Sequence, residues 1–235
     1  MTLLSIVQDA ALRMGLSSPT TVIDNTDETA QRIHALANQS GREIARMHQW
    51  KILTKEQTFT TTAAAVQTSA IPTDFDRFID ETIFNRSKLR RVVGPLTAEE
   101  WQVQASLTAS VVTDAFRIRG ADLIMIPTPT AGETIAYEYI SKYWVDDDGD
   151  GDGDAVRFLA DDDTSILDEE MITSDVIWRY RRSVGLNYAE DFRTAQMTIA
   201  GRVAADGGRR TLDLGRRRLN EKPRVPYLPE GSWNL

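Results

Sequence analysis

Residues 144–158, WVDDDGDGDGDAVRF, place six aspartates and three glycines in nine consecutive positions. Carboxylates at this spacing are the material of a calcium loop, and their positions allow a direct test. An EF-hand loop needs oxygen ligands at positions 1, 3 and 5, glycine at 6 and a bidentate glutamate at 12. A frame opening at Asp146 supplies Asp148, Asp150 and Gly151 but puts Arg157 at the twelfth position. A frame opening at Asp148 supplies Asp150, Asp152 and Gly153 but puts Leu159 there. Neither frame gives the last ligand, and the flanks read as strands rather than helices. A looser Asp-rich calcium site, making the chain a calcium-dependent binding module, stays open as an alternative. The preferred reading is a hairpin loop in which Asp and Gly serve turn geometry. Asp146, Asp147, Asp148, Asp150, Asp152 and Asp154 then form an acidic surface feature, with no metal site and no cofactor expected.

Other chemistry is thinly supported. Without cysteine the chain has no disulfide, thiolate ligand or cysteine nucleophile. The two histidines, His34 and His48, lie on one predicted helix roughly 21 Å apart along its axis, too far to share a zinc ion within one chain. No G-x-S-x-G elbow, P-loop or G-x-G-x-x-G occurs. Carboxylate pairs such as Asp74/Asp76 and Asp80/Glu81 could suit glycoside hydrolysis, as in a cell-wall hydrolase, but any acidic protein offers such pairs. No catalytic residue is assigned. WRYRR at 178–182 mixes aromatics and bases as a nucleic-acid surface would. A helix end with core aromatics and dipole-matched arginines explains it as well.

The elements that must position these residues follow from periodicity. Leu3, Val7, Ala10 and Met14 mark a helix over 3–14 with Gly15 at its stop. Asn25-x-x-Glu28 resembles a capping box opening a helix over about 27–48, with Ala30, Ile33, Ala37, Ile44 and Met47 as its stripe. KILTKEQTFTTT, DETIFNRS, LRRVVG and ETIAYEYISKYW read as strands. Thr97-x-x-Glu100 starts a short helix to about Gln104. AFRIRGADLIMIP is a hairpin with Gly120 suited to a type II′ turn. Ser165-x-x-Asp168 could cap a helix to Val184, and Tyr188, Phe192, Ala195, Ile199 and Val203 stripe another over 188–206. The expectation is an α+β protein: a helical bundle from residues 1–50 and 164–210, a β-rich insertion over 51–163, and an extended arm over 211–235.

Composition bounds the partners. The 235 residues are 41% hydrophobic and 26% charged, with net charge −8. No apolar run approaches the roughly 20 residues that span a bilayer, and MTLLSIVQDAALRMG does not read as a signal peptide. The segment 146–170 holds twelve Asp and Glu against Arg157 alone, whereas 209–224 holds seven Arg and Lys against Asp213 and Glu221. That asymmetry suggests docking between copies or onto a partner rather than tight DNA binding. Arg216, Arg217, Arg218, Lys222, Pro223, Arg224, Pro226, Tyr227 and Pro229 are the candidate partner-binding residues, an arm laid along a protein groove.

Four segments taken in order resemble the head–tail adaptor proteins of tailed bacteriophages, the head-completion, tail-accessory or tail-tubular-A-like group. They are MHQWKIL; AIPTDFDRFIDETIFNRSKLRRVVGPLTAEEWQ; FRIRGADLIMIPTPTAGETIAYEYISKYW; and DDDTSILDEEMITSDVIWRYRRSVGLNYAEDFRTA. The resemblance implies a structural virion protein and not an enzyme. It implies a ring, commonly of twelve subunits, below the portal protein in the virion neck, assembled in the host cytoplasm. Such a ring would extend the DNA channel, pass genomic DNA without reading its sequence, and dock the next tail or nozzle protein, with no membrane involved. It further implies that the C-terminal arm reaches the portal or a neighbouring copy.

Overall fold

The computed structural model describes residues 2–106 and 113–207. Helix α1 (Leu3–Arg13) starts where the Thr2 hydroxyl accepts the Ser5 N–H, and the chain turns away at Gly15, whose φ is +75°. Helix α2 (Glu28–Met47) is capped by Asp27, whose carboxylate accepts the Thr29 N–H. Asn25 is therefore not the cap; its side chain accepts the Asp27 N–H and tightens the turn before the helix. Ala30, Ile33, Ala37 and Ile44 are buried as their spacing predicts, while Met47 at the last turn is 63% exposed.

A 3-10 turn, Lys51–Leu53, leads into β1 (Thr54–Thr60), followed by β2 (Val66–Gln67), β3 (Phe75–Phe78), β4 (Phe84–Asn85) and β5 (Arg90–Arg91). Helix α3 (Ala98–Ser106) begins with the predicted capping box: Thr97 N–H donates to the Glu100 carboxylate and Glu100 N–H to the Thr97 hydroxyl. Strands β6 (Ala115–Arg119) and β7 (Asp122–Ile126) form the predicted hairpin, with Gly120 at φ +64° in the turn. Strand β8 (Thr134–Ser141) is the centre of the larger sheet, ordered β1-β8-β4-β5, with β3 also paired to β8. A second sheet runs β2-β7-β6, and β9 (Val145–Asp146) pairs with β10 (Thr164–Ser165). Helices α4 (Glu169–Ser183) and α5 (Ala189–Asp206) close the described chain. Ser165 lies in β10, its backbone taken up by Val145 opposite, so it does not cap α4; Asp168 holds the N-cap position and sends its carboxylate to Arg202 on α5, 2.7 Å away.

The fold is α+β with two apolar cores. One joins the helices through Leu3, Ile6, Ile33, Ile44, Ile172 and Val176, and it draws in Leu53, Ile140, Trp144 and Phe158 from outside them. The other lies in the sheets around Phe59, Ile83, Phe116, Leu123 and Tyr137. The alternation of Ile135, Tyr137 and Tyr139 does put all three inside. Both faces of β8 are nevertheless largely covered, because Ala136 and Ile140 are buried too. Helix α5 departs from its stripe: only Ala195 and Ile199 are buried, and Tyr188 and Phe192 lie half-open with their rings on Trp178. A stripe identifies a helix's apolar face but not how much of it a partner covers.

Candidate functional site: the acidic loop

The acidic loop hangs from an aromatic anchor. Strand β8 ends at Ser141 and delivers Trp144 into the helical core, where it is 1% exposed. Its indole N–H donates to the Val156 carbonyl at 2.9 Å, and Phe158 meets its ring edge-on at 5.0 Å. The ring lies against Gly41 of α2, so close that any Cβ there would overlap it. Val145 and Ala155 then close the loop: Ala155 N–H donates to the Val145 carbonyl at 3.0 Å, and Val145 N–H returns to the Ala155 carbonyl at 3.2 Å.

Within that frame the six aspartates differ. Asp146 points inward, 5% exposed, and its carboxylate accepts the Gly149 N–H at 2.7 Å, the Gly151 N–H at 3.0 Å and the Thr164 hydroxyl at 3.3 Å. Burial pushes this carboxyl up, and these donors together with the Asp148 N–H outweigh it, leaving it below the usual carboxylate range. Gly149 and Gly151 have φ of +80° and +90°, the left-handed region that glycine enters without a Cβ penalty. The Asp-Gly repeat thus serves the fold: one carboxylate staples two amides that glycine turns towards it without a Cβ penalty. Asp148 accepts the Asp150 N–H and Asp150 the Asp152 N–H, two Asx turns in series. Asp152 is paired with Lys55 of β1 at 2.9 Å, and the same ammonium reaches the Gly153 carbonyl at 3.0 Å. The loop is not uniformly solvated: Asp146 is internal and Asp152 is tied to the sheet.

Asp147 carries the opposite sign. Its hydrogen bond with the Asp154 carboxyl, burial, and repulsion from Asp154, Asp163 and Asp148 hold it above its ordinary range. A group whose folded pKa is raised favours the folded state when protonated, and that contribution is lost as pH rises past it. At pH 7 the ionised Asp147 therefore faces Asp154 at a cost. Asp147→Asn should raise the melting temperature at pH 7, and the gain should shrink as pH falls through the carboxylate range. A gain that is the same at pH 3 and pH 7 would contradict this account.

One oxygen each of Asp146, Asp148 and Asp154 lies within 4.8 Å of the others. Three carboxylates that close could hold a divalent ion. Both Asp146 oxygens already accept backbone N–H groups, however, so an ion there would compete with the staple.

The remaining candidates are occupied structurally. In WRYRR, Trp178 and Tyr180 are buried, Arg179 joins Asp175 and Glu43 at 2.6 Å each, and Arg181 joins Asp191 at 2.6 Å, which is the helix-end arrangement. His34 meets the Phe158 carbonyl and Asn38; His48 meets Asp206 and packs edge-on against Trp50. Asp74 accepts the Tyr139 hydroxyl and Asp76 pairs with Arg77. Two acids of the 161–163 run are further staples that sequence reasoning missed. Asp161 accepts the Val22 and Ile23 N–H groups, and Asp163 those of Leu159 and Ala160. The arm residues Arg216, Arg217, Arg218, Lys222, Pro223, Arg224, Pro226, Tyr227 and Pro229 lie outside the described residues.

Against known proteins, a family model described as SU10 adaptor protein matches residues 1–224, and the chain belongs to that family. No curated protein matches it.

Proposed function

We propose that this member of the SU10 adaptor family, a family of structural phage proteins, forms a ring in the virion neck. The ring, of about twelve copies, sits below the portal protein, extends the DNA channel and docks the next tail or nozzle protein. The match over residues 1–224 carries this reading, because it takes in the helical ends, the sheets between them and most of the terminal segment. The helical body and the inserted β-rich region would be the ring's two layers, with neighbouring copies as the first partners. Among the described residues no helix is long and apolar enough to cross a membrane.

The acidic loop then has a physical use. A ring that passes DNA must not grip it, and carboxylates repeated around a lumen repel phosphates and let the duplex slide. The same collar at the outer rim would instead select a basic docking face. Asp147, Asp148 and Asp150 can be neutralised without removing the Asp146 staple or the Lys55 pair, because Asn keeps the acceptor that the Asx turns need. The triple change to Asn should leave the monomer folded while impairing DNA retention or tail docking in assembled particles. Particles that retain DNA and dock tails as before would remove the collar from the account.

A second reading, a cation-dependent binding module, is favoured by the convergence of Asp146, Asp148 and Asp154. Calorimetric titration with calcium separates the two. The adaptor reading expects no micromolar response; a stoichiometric micromolar response would assign the loop to cation binding.

A further inference from the structure

Three of the chain's four Asp-Gly steps fall in the acidic loop: Asp148–Gly149, Asp150–Gly151 and Asp152–Gly153. Such steps carry a chemical liability. The backbone nitrogen of the glycine attacks the γ-carbon of the protonated aspartic acid side chain. The amide proton and the carboxyl hydroxyl leave as water, and a five-membered succinimide remains. Water reopens that ring at either carbonyl. One opening restores aspartate; the other gives isoaspartate, in which the main chain runs through the side-chain carbon. Glycine favours the closure because no Cβ shields its nitrogen or restrains its peptide plane. At Gly149 and Gly151 nothing lies within 4 Å of where a Cβ would stand, so neighbouring atoms give no steric cover.

Hydrogen bonds give the cover instead. Closure requires the glycine's peptide plane to rotate and the aspartic acid carboxyl to swing over it. The Gly149 N–H is held by one Asp146 oxygen at 2.7 Å, and the Asp148 carboxylate is held by the Asp150 N–H at 3.1 Å. The Gly151 N–H is held by the other Asp146 oxygen at 3.0 Å, and the Asp150 carboxylate by the Asp152 N–H at 2.7 Å. Each step therefore has its nitrogen and its carbon tied to different partners, and both ties must open together before the ring can close. Asp146 is common to the two steps and is buried. Asp152–Gly153 is guarded differently. The Gly153 N–H donates to the Asp152 carboxylate itself at 2.9 Å, which turns an oxygen rather than the carbon towards the nitrogen. Lys55 pairs with that carboxylate at 2.9 Å, and an ionised carboxylate has no hydroxyl to lose. The fourth step, Asp206–Gly207, has two ties again: its carboxylate meets His48 and the Lys51 N–H, and the Gly207 N–H donates to the Val203 carbonyl.

We propose that Asp148 and Asp150 are latent isoaspartate sites, held closed by the Asp146 carboxylate. Asp146 then does more than shape the loop: it preserves the connectivity of a main chain whose sequence favours rearrangement. This chemistry belongs to the isolated chain, so its failure would leave the adaptor reading intact.

The test incubates the full-length protein and a free peptide of residues 143–157 in the same mildly acidic buffer. Isoaspartate is counted by enzymatic methylation of its displaced carboxyl and placed by fragmentation of tryptic peptide 143–157. The folded chain should rearrange at 148 and 150 at roughly one-tenth of the peptide's rate or below. Asp146→Ala should raise the rate at 148 and 150 by about tenfold, leaving 152 and 206 near their wild-type rates. Lys55→Met should raise 152 alone. If circular dichroism shows Asp146→Ala unfolded, Asp146→Asn replaces it; its single oxygen keeps one glycine bond, so one of the two sites should open. Folded protein and peptide rearranging equally fast at 148 and 150 would overturn the proposal. So would a folded Asp146 variant that changes neither site, or one that speeds 148, 150 and 152 alike.

Discussion

Trp144→Ala should lower the stability of the protein by about 3–5 kcal/mol, the range for truncating a large buried aromatic. Trp144 joins three parts of the molecule: Gly41 of α2, Phe158 and the Val156 carbonyl. Removing it opens a cavity in the helical core and releases the stem of the acidic loop. Two readouts should therefore move together, the denaturation midpoint and the exchange protection of amides in 146–154. Gly41→Ala reports the same contact from the other side. An open mid-helix glycine gains up to about 1 kcal/mol on becoming alanine. Here the indole occupies the space a methyl would need, so the change should destabilise. A stabilised Gly41→Ala protein would show that the ring is not seated there.

Deleting 211–235 should abolish binding to the portal while leaving the helical body folded. Every residue of both apolar cores lies before position 204, so the cores survive the deletion. The deleted stretch carries Arg216, Arg217, Arg218, Lys222 and Arg224 together with Tyr227 and the three prolines Pro223, Pro226 and Pro229. A basic, proline-rich sequence is suited to bind a partner through its charge, and no other segment of the sequence combines those residue types. The check is a pull-down or sedimentation assay with the cognate portal, alongside far-ultraviolet circular dichroism of the truncated protein. Normal portal binding by the truncated chain would end the arm's assigned role.

Local signals in the sequence were reliable where the structure is local. The Thr97–Glu100 box, the Gly120 turn and the alternation of Ile135, Tyr137 and Tyr139 each involve residues within a few positions, and each forms as its pattern predicts. Errors arise where neighbouring residues compete for one role or where a distant group decides. Asn25 and Ser165 were both plausible caps, yet Asp27 caps α2, and Ser165 is drawn into β10 by Val145 twenty residues away. Phe192 has helical spacing with Ala195 and Ile199 but stays half-open, because α5 packs mainly on α4, where the Phe192 ring meets Trp178. The acidic loop shows both sides. Position counting was enough to deny it an EF-hand frame. It could not single out Asp146 as the internal staple, since that depends on Trp144 anchoring the stem and on Thr164 closing from β10. One usable signal was present: an aspartate followed by glycines three and five residues later is the register at which one carboxylate accepts both amides.

The central claim is that the chain assembles below a portal. Electron microscopy of the purified protein mixed with its cognate portal tests it most directly. The account predicts a ring of about twelve copies, coaxial with the portal and continuing its channel, with the acidic loops repeated around the lumen or the distal rim. Portals that remain bare at saturating protein, or density bound away from the channel axis, would contradict it.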